Sequence, residues 1–430
     1  MNKKVKFIDL FAGMGGLRIG FENAFKSRGF QTECVMTSEI KNHAIEALKY
    51  NFEHHKFVGD ITKVNEKDIE DFDFLLAGFP CQPFSSAGNR LGFDDTRGTL
   101  FFDVARILKE KKPYGFLLEN VEGLVNHDKG KTLETILNVL KELDYKVNWR
   151  LLDSKDFGVA QSRSRVYIVG TKNYKVNLDN FEKKSAILED ILEVGLETVD
   201  SHFTRCLFSH YKPEEVYGKA IKDKRGGKDN IHSWDIGLKG EVNEEQKRIL
   251  EQLFKERRKK KWAEEIGIKW MDGMPLTLNQ IKTFNNTNNL KDLLHDLVVK
   301  GYVKLEHPKE EMEIVREDGS VVKKRMPDES KEMGYNIVAG KLSFEFTKIL
   351  NPKGITPTLV AMDVSKLGVI DNGGLRKLSL REGLRLCGYP EGYSLECLDN
   401  ISDGFDLLGN TVVINVVEEV VKRIADTYNI

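Results

Sequence analysis

A short apolar run, residues 5–11, that stops at the turn Ala12-Gly13-Met14-Gly15-Gly16 limits this chain more than any other stretch. Glycines between a strand and a helix let the backbone turn tightly and come close to a ligand. A helical pattern follows to about Arg28, and the alternation then repeats. Residues 34–38 read as a strand, 42–51 as a helix, 74–77 as a strand, 100–111 as a helix and 115–118 as a strand. Further strands are expected at 146–152 and 166–170. This rhythm predicts an α/β domain, a mostly parallel sheet with helices on both faces.

The rhythm breaks near Lys183. From there to about Leu375 the chain is richer in Lys, Glu, Asn and Gly and shows no clear period, so a smaller, irregular domain is expected. Its clearest signals are a helix over 244–261 and a small hairpin over 315–324. In the last helix Val413, Val416, Val417, Val420, Val421 and Ile424 form one apolar stripe. That stripe needs a partner surface, and the N-terminal sheet is the natural one. The expected division is a catalytic domain over 1–185 with 400–430 packing back onto it, a second domain over 186–375, and a connecting motif over 376–399.

Three successive strand ends carry candidate ligand groups. The glycine-rich turn is the first. Ser38-Glu39 is the second, and a carboxylate there can take both ribose hydroxyls of an adenosine. Gly59-Asp60-Ile61 is the third, with a carboxylate suited to an adenine amino group. Taken singly, Asp60 reads better as a surface or capping carboxylate; together the three point to an adenosine site. The next strand leads into Gly78-Phe79-Pro80-Cys81-Gln82-Pro83-Phe84-Ser85, which puts a cysteine at the sheet's carboxyl edge. A polar loop to Gly98 has the character of a lid. Glu119 sits at the following strand end, where a carboxyl group could act as an acid. Arg163 and Arg165 share one strand face and could hold a carbonyl or orient Glu119; the plain alternative is two solvated arginines.

These motifs, in this order, resemble the DNA cytosine-5 methyltransferases of the bacterial restriction-modification type. The likeness is carried by Phe7 to Gly16, Gly78 to Ser85, Arg97-Gly98-Thr99-Leu100-Phe101-Phe102, Glu119-Asn120-Val121 and Gln161-Ser162-Arg163-Ser164-Arg165. It continues in Arg381-Glu382 with Gly388-Tyr389-Pro390 and in Gly409-Asn410-Thr411-Val412-Val413. It spans roughly the first 175 residues and the last 55.

The resemblance implies a Rossmann-like domain that uses S-adenosylmethionine, and a middle region that recognises the target in double-stranded DNA. It implies Cys81 as nucleophile and Glu119 as the acid toward N3 of cytosine, with Arg165 and its neighbour Arg163 beside it. Phe11, Ala12, Gly13, Gly15, Gly16, Glu39, Ile40, Asp60, Ile61, Pro80 and Leu100 would line the cofactor pocket, closed by Asn410, Thr411 and Val412. Ser85, Arg97, Thr358 and Leu359 would meet DNA. Ala87 departs from members that carry a polar gap-filling residue in the lid. A separately encoded restriction endonuclease, a monomeric state and a stand-alone bacterial or phage enzyme are the further expectations. An RNA cytosine methyltransferase on the same scaffold is the nearest rival, and the long polar middle region argues against it.

Composition is neutral on this reading. Lys plus Arg is 66 and Asp plus Glu is 67, a net charge of -1. Binding depends on where positive charge sits, not on its sum. Lys255 to Lys261 is the one dense basic run; it reads evenly as a phosphate grip or a solvated helix face. Asn230, His232, Trp234, Trp262 and Trp270 could read or wedge bases, with core packing the stronger reading for the tryptophans. Cys34, Cys81, Cys206, Cys387 and Cys397 form no zinc-like spacing and fit a reducing compartment, so a cytoplasmic, nucleoid-associated protein without a membrane segment or metal is expected.

Overall fold

A computed structural model describes all residues except 1–3, 54–55, 81–99, 224–226, 228, 270, 316–320, 339–343 and 429–430. Among the described residues, one sheet holds seven strands. They are β1 (Lys4–Leu10), β2 (Gln31–Ser38), β3 (Phe57–Val58), β4 (Phe74–Gly78), β5 (Gly115–Val121), β6 (Lys146–Asp153) and β7 (Ser164–Thr171), in the order β3-β2-β1-β4-β5-β7-β6. All pairings are parallel except those of β7, which runs antiparallel to β5 and β6. The chain leaves β1 toward β2 and β3, then crosses to the other side at β4. Strand order therefore reverses between β1 and β4, and a crevice opens at their carboxyl ends.

Helices cover both faces: α1 (Gly16–Ser27), α2 (Asn42–Asn51), α3 (Leu100–Lys111) and α4 (Lys131–Glu142). Alternation in β1 assigns its side chains to two cores. Val5 and Phe7 join Phe21 and Phe25 of α1 and Val417, Val420 and Ile424 of the C-terminal helix Ile414–Tyr428. Ile8 and Leu10 join Val104 and Leu108 of α3 and Ile136 and Leu140 of α4. The stripe of the last helix thus packs on the N-terminal sheet domain.

By internal contacts the chain divides into two units, Met1–Val194 with Asn351–Ser365 and Leu378–Ile430, and Gly195–Leu350 with Lys366–Lys377. The sequence placed residues 351–365 in the middle region, yet they belong to the first unit. The Thr356 amide donates to Ala160 O at 2.8 Å, and the Ser162 amide donates to Thr356 O at 3.0 Å. A pairing across nearly two hundred residues leaves no periodic trace. Residues 378–399, expected as a connector, also lie in the first unit, where Ser379 caps the helix Leu380–Leu386.

The second unit is less irregular than its composition implied. Five short strands form one sheet, and helices such as His202–His210 and Leu290–Val299 bury apolar faces in two cores. The helix expected over 244–261 ends at Glu256, because Arg257 turns inward to donate to Asn336 Oδ1 and Ile337 O. The hairpin lies at Lys309–Val315 and Val321–Pro327, earlier and longer than expected; charged residues on one strand face mask the alternation of Met312 and Ile314.

Candidate active site

The residues expected around an adenosine converge at the crevice. Glu39, at the end of β2, accepts from the Gly13 amide at 2.7 Å through one carboxylate oxygen and from the Ile40 and Lys41 amides at 2.7 and 2.9 Å through the other. The carboxylate is fixed before any ligand arrives. Phe11 has φ 55, an uncommon backbone for a non-glycine residue, and strain of this kind gathers at functional sites. Ala12 is buried and its amide donates to Ser38 O at 3.0 Å, which joins the first two strand ends. Ile40 is 69% exposed beside Glu39, an apolar face open at the pocket rim.

Gly16 is required by close approach. A Cβ there would lie 2.7 Å from Val412 and 2.8 Å from the Tyr389 hydroxyl. The C-terminal wall thus rests on the turn. Tyr389 Oη and Thr411 Oγ1 are 2.6 Å apart, and Tyr393 Oη donates to Met14 O at 2.8 Å. The two tyrosines are in ring contact, so together they hold residues 411 and 412 against the glycine turn. The resemblance supplied Gly388-Tyr389-Pro390 as a motif without a role; Tyr393 carried no sequence signal. Asn410 is exposed and bonds Asp406, whose carboxylate also meets Lys41 and His43. Asp60 caps the turn Ile61–Lys63 by accepting from the Thr62 amide and is exposed enough to serve a ligand too, while Ile61 is buried.

One buried carboxyl in this region was missed. Asp9 is fully buried in β1, and neither oxygen has a hydrogen-bond partner among the described residues. Burial pushes it up to about 8, against the pull of Arg18. It sits in the motif Phe7 to Gly16, but an aspartate in an apolar strand gives no hint of how deeply it is buried.

At the chemical end, Cys81, Ser85 and Arg97 lie outside the described residues. Their approach is described: β4 delivers Gly78, buried Phe79 and exposed Pro80 to the sheet edge. Asn120 Nδ2 donates to Phe79 O at 2.9 Å, so β5 anchors the end of β4, from which the chain runs on to Cys81. Leu100, half-buried, opens α3 where that loop ends. Glu119 is nearly buried at the end of β5, and Arg165 Nε stands 3.1 Å from its carboxylate. Burial drives the Glu119 carboxyl above the usual carboxylate range, with Arg165 and Arg163 acting against the rise. Of the two arginines, Arg165 makes this ion pair. Arg163 instead donates to Leu359 O at 2.9 Å and Gly409 O at 3.0 Å. It binds two distant segments beside the pair. Thr358 donates through Oγ1 to Ser162 O at 2.8 Å and Leu359 is buried.

A reversal point lined by a fixed carboxylate and glycine turn, next to a buried acid paired with arginine, defines a nucleotide-cofactor-dependent group-transfer enzyme. The model of the C-5 cytosine-specific DNA methylase family matches residues 5–426, and the chain belongs to that family. It is a DNA cytosine-5 methyltransferase, of a class that draws its methyl group from S-adenosylmethionine in general. The chain is 54% identical to the Type II methyltransferase M.NlaIV of Neisseria lactamica over 99% of this chain and all of the relative. It is 40% identical to M.BanI of Aneurinibacillus aneurinilyticus, covering 97% and 95%. The S. pombe Dnmt2 methyltransferase shares the fold, with a TM-score of 0.53 at 15% identity over 99% and 100% of the two chains. Among the described residues no helix is long and apolar enough to cross a membrane.

Proposed function

We propose that the carboxyl edge of β1 to β5 is the methylation site, with Cys81 as nucleophile, Glu119 as acid and Arg165 holding Glu119. The observation that carries this is the buried Glu119–Arg165 pair at the end of β5, next to the strand that leads to Cys81. Carbon 5 of cytosine is a poor nucleophile. The Cys81 thiolate adds to carbon 6 while Glu119 gives its proton to N3, and carbon 5 becomes enamine-like. After transfer, the C5 proton leaves and the thiolate is expelled. A carboxyl raised by burial keeps its proton closer to neutral pH, as an acid in this step needs.

The residues present fit S-adenosylmethionine. The Glu39 carboxylate is aimed by three amides, Phe11 and exposed Ile40 offer apolar faces, and the Gly16–Val412 contact leaves the turn close to the C-terminal wall. The cofactor, when bound, supplies an electrophilic methyl group. Phe11, Ala12, Gly13, Gly15, Gly16, Glu39, Ile40, Asp60, Ile61, Pro80, Leu100 and residues 410–412 would hold it. The second unit would read the target in duplex DNA, with Thr358, Ser85 and Arg97 meeting DNA from the first; Leu359, expected to meet DNA as well, is fully buried and holds the segment in place instead. The enzyme would be a monomer that protects host DNA from a separately encoded endonuclease.

Cys81→Ser should lose turnover by several orders of magnitude and keep cofactor binding, because an alcohol is far less ionised than a thiol. A duplex with 5-fluorocytosine at the target should form a stable adduct on Cys81 only when the methyl donor is present, since fluorine replaces the proton that must leave. Peptide mapping that places the adduct elsewhere would overturn the assignment.

A further inference from the structure

The helix Ile401–Asn410 runs into the C-terminal wall, and one turn before its end stands Asp406. The two carboxylate oxygens of Asp406 face different partners. Oδ2 accepts from Lys41 Nζ and meets His43 Nε2, each at 2.9 Å. Oδ1 accepts from Asn410 Nδ2 at 3.0 Å, and the same side-chain amide donates to Asp406 O at 2.8 Å. Lys41 follows Ile40 directly and gives its own backbone amide to Glu39 at 2.9 Å. One carboxylate thus joins the end of β2 to the start of the C-terminal wall, 365 positions apart in the chain. Burial raises the Asp406 carboxyl, but the bonds from Lys41 and His43 outweigh it and hold it below the usual carboxylate range, so its charge persists near neutral pH.

The Lys41 and Asp406 side chains are 49% and 33% exposed. An ion pair so placed adds little to folding, because water screens it and two long side chains lose freedom to make it. Its place in the chain gives it another use. Ile40 and Asn410, both exposed, flank this pair and belong to the set proposed to hold the cofactor. Exposed side chains that a ligand must order subtract that cost from its affinity. Here the cost is met beforehand: two acceptors of residue 406 aim the Asn410 amide, and the Lys41 side chain is tied down next to Ile40. Lys41, His43 and Asp406 all lie outside the motifs that carry the family likeness, so the tie belongs to this chain's own sequence.

We propose that Asp406 is a positioning residue for the methyl donor, holding Ile40-Lys41 and Asn410 together in the arrangement that binds it. Asp406 acts through these neighbours and not by contact with the cofactor. The inference rests on the reading of the Glu39 strand end and residues 410–412 as the cofactor site. Loss of the tie weakens binding of the donor and leaves the transfer step to Cys81 and Glu119.

The test is calorimetric titration of the full chain with S-adenosylhomocysteine, the demethylated product, in the absence of DNA. Asp406→Ala should weaken binding about tenfold and Lys41→Met about threefold, the scale expected when the ligand must order one or two side chains itself. The double variant should bind within about twofold of Asp406→Ala alone, because Lys41 acts only through that carboxylate. Asp406→Glu, which restores the charge, should recover most of the loss. In turnover the effect should fall on KM for the methyl donor and not on kcat. The melting temperature of the free protein should move by no more than about 2 °C, since an exposed pair carries little of the fold. Binding by Asp406→Ala within about 1.5-fold of wild type, or losses that multiply in the double variant, would overturn the inference. Glu39→Gln serves as the separate check. If it loses binding while Asp406→Ala does not, only the positioning role fails; if it binds as wild type does, the site reading itself fails.

Discussion

Asp223 and Asp371 of the second unit and Asp9 and Glu119 of the first are all buried carboxylates, yet their surroundings differ. In the second, Asp223 accepts from the Ser233 amide and hydroxyl at 2.8 and 2.7 Å, and Asp371 is paired with buried Arg376 and with the Gly195 and Leu196 amides. These charges are matched and hold the scaffold. In the first, Asp9 has no hydrogen-bond partner among the described residues and Glu119 is held above the carboxylate range at a sheet edge. Leaving a buried polar group unmatched costs stability, and such groups gather where chemistry needs an unusual proton affinity. The basic run of the second unit follows its unit's habit: Arg257 is buried, Lys259 pairs with Glu256, and Lys261 lies over the Trp262 ring. The contrast supports the proposal that the chemistry belongs to the first unit.

Glu119→Gln offers the sharpest way to break this comparison. Removing a general acid lowers rates by about 100- to 10,000-fold, and kcat should fall in that range with cofactor affinity preserved. The wild-type enzyme should also lose activity as pH rises through the raised pKa of Glu119, since the acid form is the working one. That limb should vanish in the variant. A pH profile unchanged by the substitution would place the acid elsewhere.

The independence of the second unit is tested by Trp234→Ala. Trp234 is 2% exposed, packs in the core with Leu250 and Leu253 and stacks on His232 with centroids 4.3 Å apart. Truncation of a buried tryptophan costs about 3–5 kcal/mol. The variant should lose target-specific methylation through melting of the second unit, followed by calorimetry, while cofactor binding to the first survives. Loss of both together would show that the two units fold as one.

The smallest effect is expected at Asp9. Its folded pKa lies above its unfolded value, so the native state binds the extra proton between them and stability falls as pH rises from about 4 toward about 8. Asp9→Asn removes that dependence. Its melting temperature should exceed that of the wild type by several degrees above pH 8 and match it near pH 4. A greater gain in acid than in alkali would reverse the assignment of Asp9 as a carboxyl kept neutral.

Much of the first unit was legible because local chemistry wrote it. Strand ends that carry Gly13, Glu39 and Glu119 must fall on one edge once the strands are parallel, so motif order alone brought together the residues proposed for cofactor and acid. Arg163 and Arg165 show the limit. Their shared face was readable from alternation, but that one meets Glu119 while the other ties Leu359 to Gly409 depends on segments nearly two hundred residues apart or more. The second unit was less legible still, since short strands such as Ala220–Ile221 take their partners from remote sequence and show no period of their own.

The sequence by itself determined the alternation of strands and helices, the glycine turn, and the chemical groups placed at successive strand ends. Those features follow from backbone sterics and side-chain period, which act over a few residues. Only the tertiary structure decided that Asp9 is buried with no hydrogen-bond partner among the described residues, that Tyr389 and Tyr393 press the C-terminal wall onto the turn, and that residues 351–365 leave the middle region to join the first unit. Each of these depends on which distant surfaces exclude water together, and burial of that kind is a property of the packed chain rather than of any segment in it.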